Sequence, residues 1–245
     1  MGLARDLRVA LAFLSRLAPA RAETAEALAA SLKVYPLAGL VVGAAALLPA
    51  RLGLFALHPA LLAVCTVALS IWVTRGLHWD GLSDVADAWG SGARGERFWE
   101  IMKDSRCGAF AVMGCVLAML AQAAALAGLL GARALGPALF GFVLGRFLAV
   151  GLAHVGRGLK RPGLGGLVLS GAGTGPLLFA AGQTLVLGLW LCPPAVLGAA
   201  FGLAALGAAM LRRLAGRQGG LNGDFLGSAV IWGELSAWLA WCLLN

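Results

Sequence analysis

Charge is scarce in this chain. Only 12% of its 245 residues are Asp, Glu, Lys or Arg, and 60% are hydrophobic. A soluble domain carries roughly 25% charged residues, so a soluble globular domain is excluded. Acid is scarcer than base, with 11 Asp and Glu against 19 Lys and Arg. The five cysteines (Cys65, Cys107, Cys115, Cys192, Cys242) are scattered, odd in number and form no CxxC, and there are only three histidines. A zinc site or a disulfide framework is therefore not expected. Cys107 reads as an incidental small residue in preference to a catalytic thiol. There is no P-loop, no Ser-His-Asp set and no HExxH. The net charge of +8 is spread among loops, which fits topology and phosphate contact and gives no nucleic-acid footprint. No internal repeat or low-complexity tail is evident, so one integral-membrane domain over residues 1–245 is expected.

What the chain does have is long apolar runs. The fold class expected is all-α: a polytopic bundle of about seven transmembrane helices, preceded by an amphipathic N-terminal helix in the bilayer interface. Residues 2–17 place Arg5, Arg8 and Arg16 among apolar residues. Arg16 interrupts the run and no cleavage site follows, so an interfacial helix is favoured over a signal peptide. Residues 22–33 form a polar helical piece. Spans of the length a bilayer requires fall at 34–50, 56–74, 109–131, 135–153, 175–192, 194–211 and 226–244. Sixteen Lys and Arg lie in one alternating set of connections and two in the other. The positive-inside rule puts the rich set, with the N-terminus, in the cytoplasm of a multi-pass inner-membrane protein. A homo-oligomer is compatible with this reading.

Six of the 11 acids lie in residues 75–108: Asp80, Asp84, Asp87, Glu96, Glu100 and Asp104. Asp80, Asp84 and Asp87 are spaced i, i+4, i+7, which puts them on one face of a helix. Like charges at that spacing repel. A chain so poor in acid is not expected to stack three without a compensating cation. Mg²⁺ is the natural one, a hard ion held by carboxylates and substrate phosphates. The structural alternative is a solvated acidic face paired with nearby Arg and Lys.

A second polar stretch runs from 212 to 236. Gly219, Gly220 and Gly223 precede Asp224, and Gly-rich backbone can approach a phosphate closely. Glu234 lies ten residues on, roughly 15 Å deeper along a helix. A carboxylate within a span is a functional-site hypothesis by default. The structural alternative makes Asp224 an N-cap and pairs Glu234 with Arg146, the one basic residue inside a span. A buried pair and a phosphate ligand are equally open for Arg146. The basic loop 154–166 (Arg157, Lys160, Arg161 among glycines) fits phosphate contact or plain topology. His78, two residues before Asp80, is a base or a helix-end polar residue.

Acids facing one way, a further acid on another helix and basic loops around both suit metal-assisted phosphoryl transfer. The expected reaction is transfer from a nucleotide-activated donor to an alcohol, releasing a nucleoside monophosphate.

These residues also carry a resemblance. His78-Trp79-Asp80-Gly81-Leu82-Ser83-Asp84-Val85-Ala86-Asp87, then Glu100-Ile101-Met102-Lys103-Asp104-Ser105-Arg106 and Gly108, closely resemble the signature of the cobalamin synthase family. That family comprises the adenosylcobinamide-GDP ribazoletransferases of late vitamin B12 assembly. Its motifs read HxDGLADxxDG and EIMxDSRxG. Gly219-Gly220-Leu221-Asn222-Gly223-Asp224-Phe225-Leu226-Gly227 and Gly233-Glu234-Leu235 resemble its GGxTGDxLGA and GE. Phe13–Leu17 and Gly163-Leu164-Gly165 are smaller echoes, so the likeness spans the chain. Ser83 stands where the family has Ala, Ala88 where it has Gly, Asn222 where it has Thr, and Lys160 where it has Arg.

The resemblance implies a Mg²⁺-dependent transfer from adenosylcobinamide-GDP to α-ribazole or its 5′-phosphate. It implies a metal centre of Asp80, Asp84, Asp87 and Asp104. Asp224 would be a further ligand or the base, with Glu234 its partner. Lys103, Arg106, Arg146 and Lys160 are candidate diphosphate contacts, and His78, Gly220 and Asn222 candidate substrate contacts. Two rivals are weighed. CDP-alcohol phosphotransferases carry Ala-Arg after their Asp-Gly, where this chain has Ser83-Asp84. A transporter would be expected to show inverted repeats.

Overall fold

The computed structural model describes residues 2–245 and is helical throughout. The N-terminal layer holds α1 (Leu3–Leu14), α2 (Ala25–Ser31), α3 (Tyr35–Ala46) and the one-turn α4 (Leu48–Arg51). Next come α5 (Pro59–Val73), α6 (Leu77–Gly90), α7 (Glu96–Met102), α8 (Ala109–Gly131) and α9 (Leu135–Gly156). The chain closes with α10 (Leu164–Ser170), α11 (Thr174–Leu191), α12 (Pro194–Arg217) and α13 (Gly223–Leu244).

Among the described residues, six helical stretches are long and apolar enough to cross a membrane, and seven if α5 and α6 count as one broken span. The expected bundle of about seven spans is thus found. The first span differs in detail: the membrane-length helical stretch is Ala25–Ala46, so it begins within the piece expected at 22–33. The expected 34–50 run stops as α3 at Ala46, and Pro49 opens a separate turn, because proline suits a first turn and not a helix interior. The polar piece at 22–33 becomes α2, whose first turn is capped by Thr24 accepting from Ala27 N–H at 3.2 Å.

α9 and α13 form the buried centre. They can approach because glycines face one another: a Cβ on Gly233 would stand 2.7 Å from Gly145 Cα. Small residues at a crossing are how membrane helices gain dispersion contact without a hydrophobic driving force. Trp238, 1% exposed, seals the same seam and donates Nε1–H to Ala138 O at 2.9 Å. α8, α11 and α12 instead turn Leu, Val and Trp outward, Leu117, Val186 and Trp190 among them, as lipid-facing surfaces do.

One bend decides where the site lies. α6 leaves α5 at 94°. Arg75 and Gly76 both take positive φ at the corner. The Arg75 guanidinium donates to Ala12 O and Phe13 O at 3.1 and 3.0 Å, satisfying carbonyls at the end of α1. α6 therefore does not continue α5 in a straight line. It runs across the basic end of the bundle, over the first turns of α8 and α13.

Candidate active site

α6 is two-faced. His78, Gly81, Val85 and Ala88 are buried against the bundle, a spacing that winds along one side of a helix. Asp80, Asp84 and Asp87 occupy the other side. At Gly81 the helix meets α13 closely, since a Cβ there would lie 2.8 Å from Asp224 Cα. Ser228 Oγ–H donates to Gly81 O at 3.2 Å and fixes the crossing. Asp224 of α13 is thereby set beside the acidic face of α6.

Asp80, Asp84 and Asp87 line a cavity of about 320 Å³ with Lys103, Asp104 and Arg106. The segment after α7 supplies the last three. Burial, then the neighbouring charges of Asp224, Asp80 and Asp87, push the Asp84 carboxyl up to about 7. Asp104 goes the other way. Arg106 donates Nε–H and Nη2–H to it at 3.0 and 2.6 Å, and these bonds hold its carboxyl at about 2.

Asn222 caps α13, its Oδ1 accepting from Phe225 N–H at 3.5 Å. Its Nδ2–H donates to Asp224 Oδ2 at 2.6 Å. Asp224 itself is not the cap, so it is left free for chemistry. The glycine loop before it is tied to the basic loop: Leu221 N–H donates to Leu159 O at 2.6 Å, and Arg161 N–H to Leu221 O at 3.0 Å. α7 is docked on the same loop by Gln218. Gln218 O accepts from Trp99 Nε1–H at 2.9 Å, and its Oε1 accepts from Gly95 N–H at 3.0 Å.

The acids of this cavity offer hard carboxylate oxygens, and the Asp84 carboxyl is raised first by burial and then by like charge that a divalent cation would offset. The chemistry of the donor set fits Mg²⁺. The side chains do not form a closed cage, for among the described residues no three His, Cys, Asp or Glu gather tightly enough to hold an ion. Asp104 is turned onto Arg106, and Asp87 Oδ1 accepts from Ala111 N–H at 3.4 Å.

A family model described as cobalamin-5-phosphate synthase matches residues 6–242. The chain belongs to that family. It is 48% identical over 236 residues to the adenosylcobinamide-GDP ribazoletransferase of Nitratidesulfovibrio vulgaris (strain Miyazaki F), covering 96% of this chain and 94% of the relative. Proteins of the same name from Syntrophobacter fumaroxidans and Desulfitobacterium hafniense are 39% and 35% identical, with 85% and 94% of this chain covered and 84% and 94% of theirs. No solved structure matches the chain.

For this member of the cobalamin-5-phosphate synthase family, the bundle brings together most of the residues picked out in the sequence. Asp80, Asp84, Asp87, Asp104, Lys103 and Arg106 share one cavity. His78, Asp80, Asn222 and Asp224 border a second. Lys160 lines neither cavity; it is exposed and bridged to Leu221, and Gly220 packs on the Arg161 stem.

Glu234 and Arg146 are elsewhere. They pair with each other at mid-bundle, 3% and 1% exposed, and Gln122 Nε2–H donates to Glu234 at 3.2 Å. Glu234 is thus not the partner of Asp224, nor does Arg146 reach the acidic cavity. The buried-pair alternative weighed for these two describes their contacts.

Sequence reasoning passed over Gln218, Trp99 and Tyr35. Gln218 follows α12 as an ordinary loop amide, and Trp99 reads as an interfacial tryptophan. No local signal marks either. Tyr35 carried one: it is the sole tyrosine of the chain.

Proposed function

We propose that this protein is a Mg²⁺-dependent adenosylcobinamide-GDP ribazoletransferase of the inner membrane, with its acidic cavity on the cytoplasmic side. It joins adenosylcobinamide-GDP to α-ribazole, or to α-ribazole 5′-phosphate, and releases GMP. One observation carries the reading: α6 crosses the first turn of α13 at Gly81, so Asp224 stands at the border of the acidic face, next to Asp80 and Asp84. Relatives covering nearly the whole chain bear the name adenosylcobinamide-GDP ribazoletransferase, which supports the transfer reaction.

Asp80, Asp84, Asp87 and Asp104 are the residues that would hold Mg²⁺. When bound, the ion supplies charge neutralisation at the phosphate oxygens and makes the attacking hydroxyl more acidic. Lys103 and Arg106 bind the donor diphosphate at the cavity wall, and Lys160 approaches it from the basic loop tied to Leu221. Lys103 and Lys160 have no carboxylate partner among the described residues, so their charge is available. The acceptor's 3′-hydroxyl oxygen forms a bond to the phosphorus nearer the corrinoid. The bond from that phosphorus to the oxygen bridging the diphosphate breaks, and GMP leaves with that oxygen. Asp224 takes the hydroxyl proton. Asn222 holds one of its oxygens, so the other is presented without a rotamer search.

The test is GMP release by purified protein given adenosylcobinamide-GDP and α-ribazole, with Mg²⁺ or with EDTA. Mg²⁺-dependent GMP with a cobalamin product is expected. A folded sample that releases no GMP but releases CMP from a CDP-activated donor would overturn the assignment.

A further inference from the structure

The acidic cavity leaves a neighbouring one unexplained. A second cavity, of about 350 Å³, lies between α6, α10 and the first half of α13. It borders Asp80 and Asp224 at one edge. The rest of its wall is apolar, with Phe13, Leu14, Val168, Leu226 and Val230 prominent. Its size falls within the roughly 300–1,000 Å³ of small-molecule pockets.

Two polar atoms in this wall have no partner: the Tyr35 hydroxyl and His78 Nε2. Both side chains are buried, at 3% and 4% exposure. The Ser31 hydroxyl, one helical turn before Tyr35, donates instead to Leu28 O at 2.8 Å. Buried polar atoms without partners are rare and call for an explanation. Two of them in one apolar cavity describe a site for a flat, mostly apolar molecule with a few polar atoms.

We propose that this cavity is the acceptor subsite: it takes the aromatic base of the acceptor nucleoside, and the Tyr35 hydroxyl donates to the free ring nitrogen of that base. His78 lies on the buried face of α6, turned from the acidic edge, and its Nε2 is offered to a second polar atom of the same nucleoside. Asp80 and Asp224 border the cavity at that edge, so a nucleoside lodged there brings its ribose hydroxyls to the carboxylates. A lipid chain would fit the apolar wall but leave both polar atoms unpaired. The assignment rests on the transferase reading above and adds a prediction of base selectivity. A benzimidazole, apolar with one acceptor nitrogen, suits the cavity, whereas a purine would bury further polar atoms unpaired.

The experiment compares two acceptors with wild type and Tyr35→Phe. One is α-ribazole. The other is a phenolic riboside of similar size, which lacks the ring nitrogen. Tyr35→Phe removes an oxygen that makes no hydrogen bond in the free protein, so folding is expected to be little affected. It should raise KM for α-ribazole roughly tenfold, the size of one lost hydrogen bond, and leave KM for the phenolic riboside and both kcat values unchanged. Val168→Phe, on the peripheral α10, should weaken direct binding of radiolabelled α-ribazole while adenosylcobinamide-GDP still binds.

Equal effects of Tyr35→Phe on both acceptors would overturn the proposal. So would an unaltered α-ribazole affinity in Val168→Phe, or a lipid retained through purification that α-ribazole does not displace. If wild type binds α-ribazole but releases no GMP, the transferase reading fails and the binding arm still decides the subsite.

Discussion

The molecule places charge in an apolar chain at two levels, and the two are built in opposite ways. At the basic end, Asp80, Asp84 and Asp87 share one face of α6 with Asp224 nearby, and burial together with these like charges raises the Asp84 carboxyl. At mid-bundle, Glu234 is enclosed by Arg146 and Gln122, and all three are buried. Uncompensated like charge beside a cavity is poor for stability and useful for chemistry. A closed pair is poor for chemistry and useful for holding α9 to α13. Both sites contain a carboxylate in a motif of the family, so membership of a motif does not by itself assign a residue to catalysis.

Neutralising one residue at each level separates the two. Asp84→Asn should lower the rate of GMP release by at least about a hundredfold, on the scale of a group acting on the transition state. The same variant should keep or slightly raise the thermal midpoint in detergent, because it removes a half-buried charge and, with it, the repulsion from its neighbours. Glu234→Ala should do the reverse. It leaves Arg146 buried without its counter-ion, which costs about 3–5 kcal/mol. That loss would appear as a large fall in thermal midpoint, with activity per folded molecule much less affected. The paired change Arg146→Met with Glu234→Leu should recover most of the stability, since apolar replacements of a buried pair are often neutral. A catalytically dead but fully stable Glu234→Ala would erase the distinction.

The distinction was only half legible in the sequence. The spans follow from apolar run length, and the common face of Asp80, Asp84 and Asp87 from their spacing, because both are local properties of the chain. The partner of Glu234 was not decidable. Arg146 lies 88 residues away, and spacing along one helix carries no information about the helix opposite. The same limit hid the 94° turn after α5. It depends on Arg75 reaching the end of α1, a contact between distant segments. Gln218 was illegible for a related reason: its backbone carbonyl does much of the anchoring of Trp99, and any residue has one.

Proton activity should divide the levels in a second way. Asp84 ionises near 3.8 when unperturbed and at about 7 in the fold. The fold thus disfavours its charged form. Below the lower value the carboxyl is protonated in both folded and unfolded chains, and the fold is not penalised. The penalty grows as pH rises from about 4 to about 7 and is constant above that. Without divalent cation, the thermal midpoint should therefore fall across that interval, and Mg²⁺ should restore it at pH 8 more than at pH 5. Asp84→Asn should flatten this profile. The stability contributed by the Glu234–Arg146 pair should be insensitive to Mg²⁺ at any pH. A Mg²⁺ response that persists unchanged in Asp84→Asn would remove Asp84 from the metal-binding set.

The smallest effect on stability is expected at Arg106, where a charge pair of the open kind can be removed on its own. Its side chain is 88% exposed and its bonds go to Asp104, itself at the surface. Exposed pairs contribute roughly 0–1 kcal/mol, so Arg106→Gln should leave the thermal midpoint within a degree or two. Removing the guanidinium nonetheless takes away a diphosphate contact and frees Asp104 for the cavity. KM for adenosylcobinamide-GDP should rise several-fold with kcat little changed, and the carboxyl of Asp104 should climb from about 2 toward its ordinary value. The dependence of KM on ionic strength should also weaken, because a long-range attraction for the donor phosphates has gone. An Arg106→Gln enzyme with unaltered KM and salt response would place the diphosphate on Lys103 and Lys160 alone.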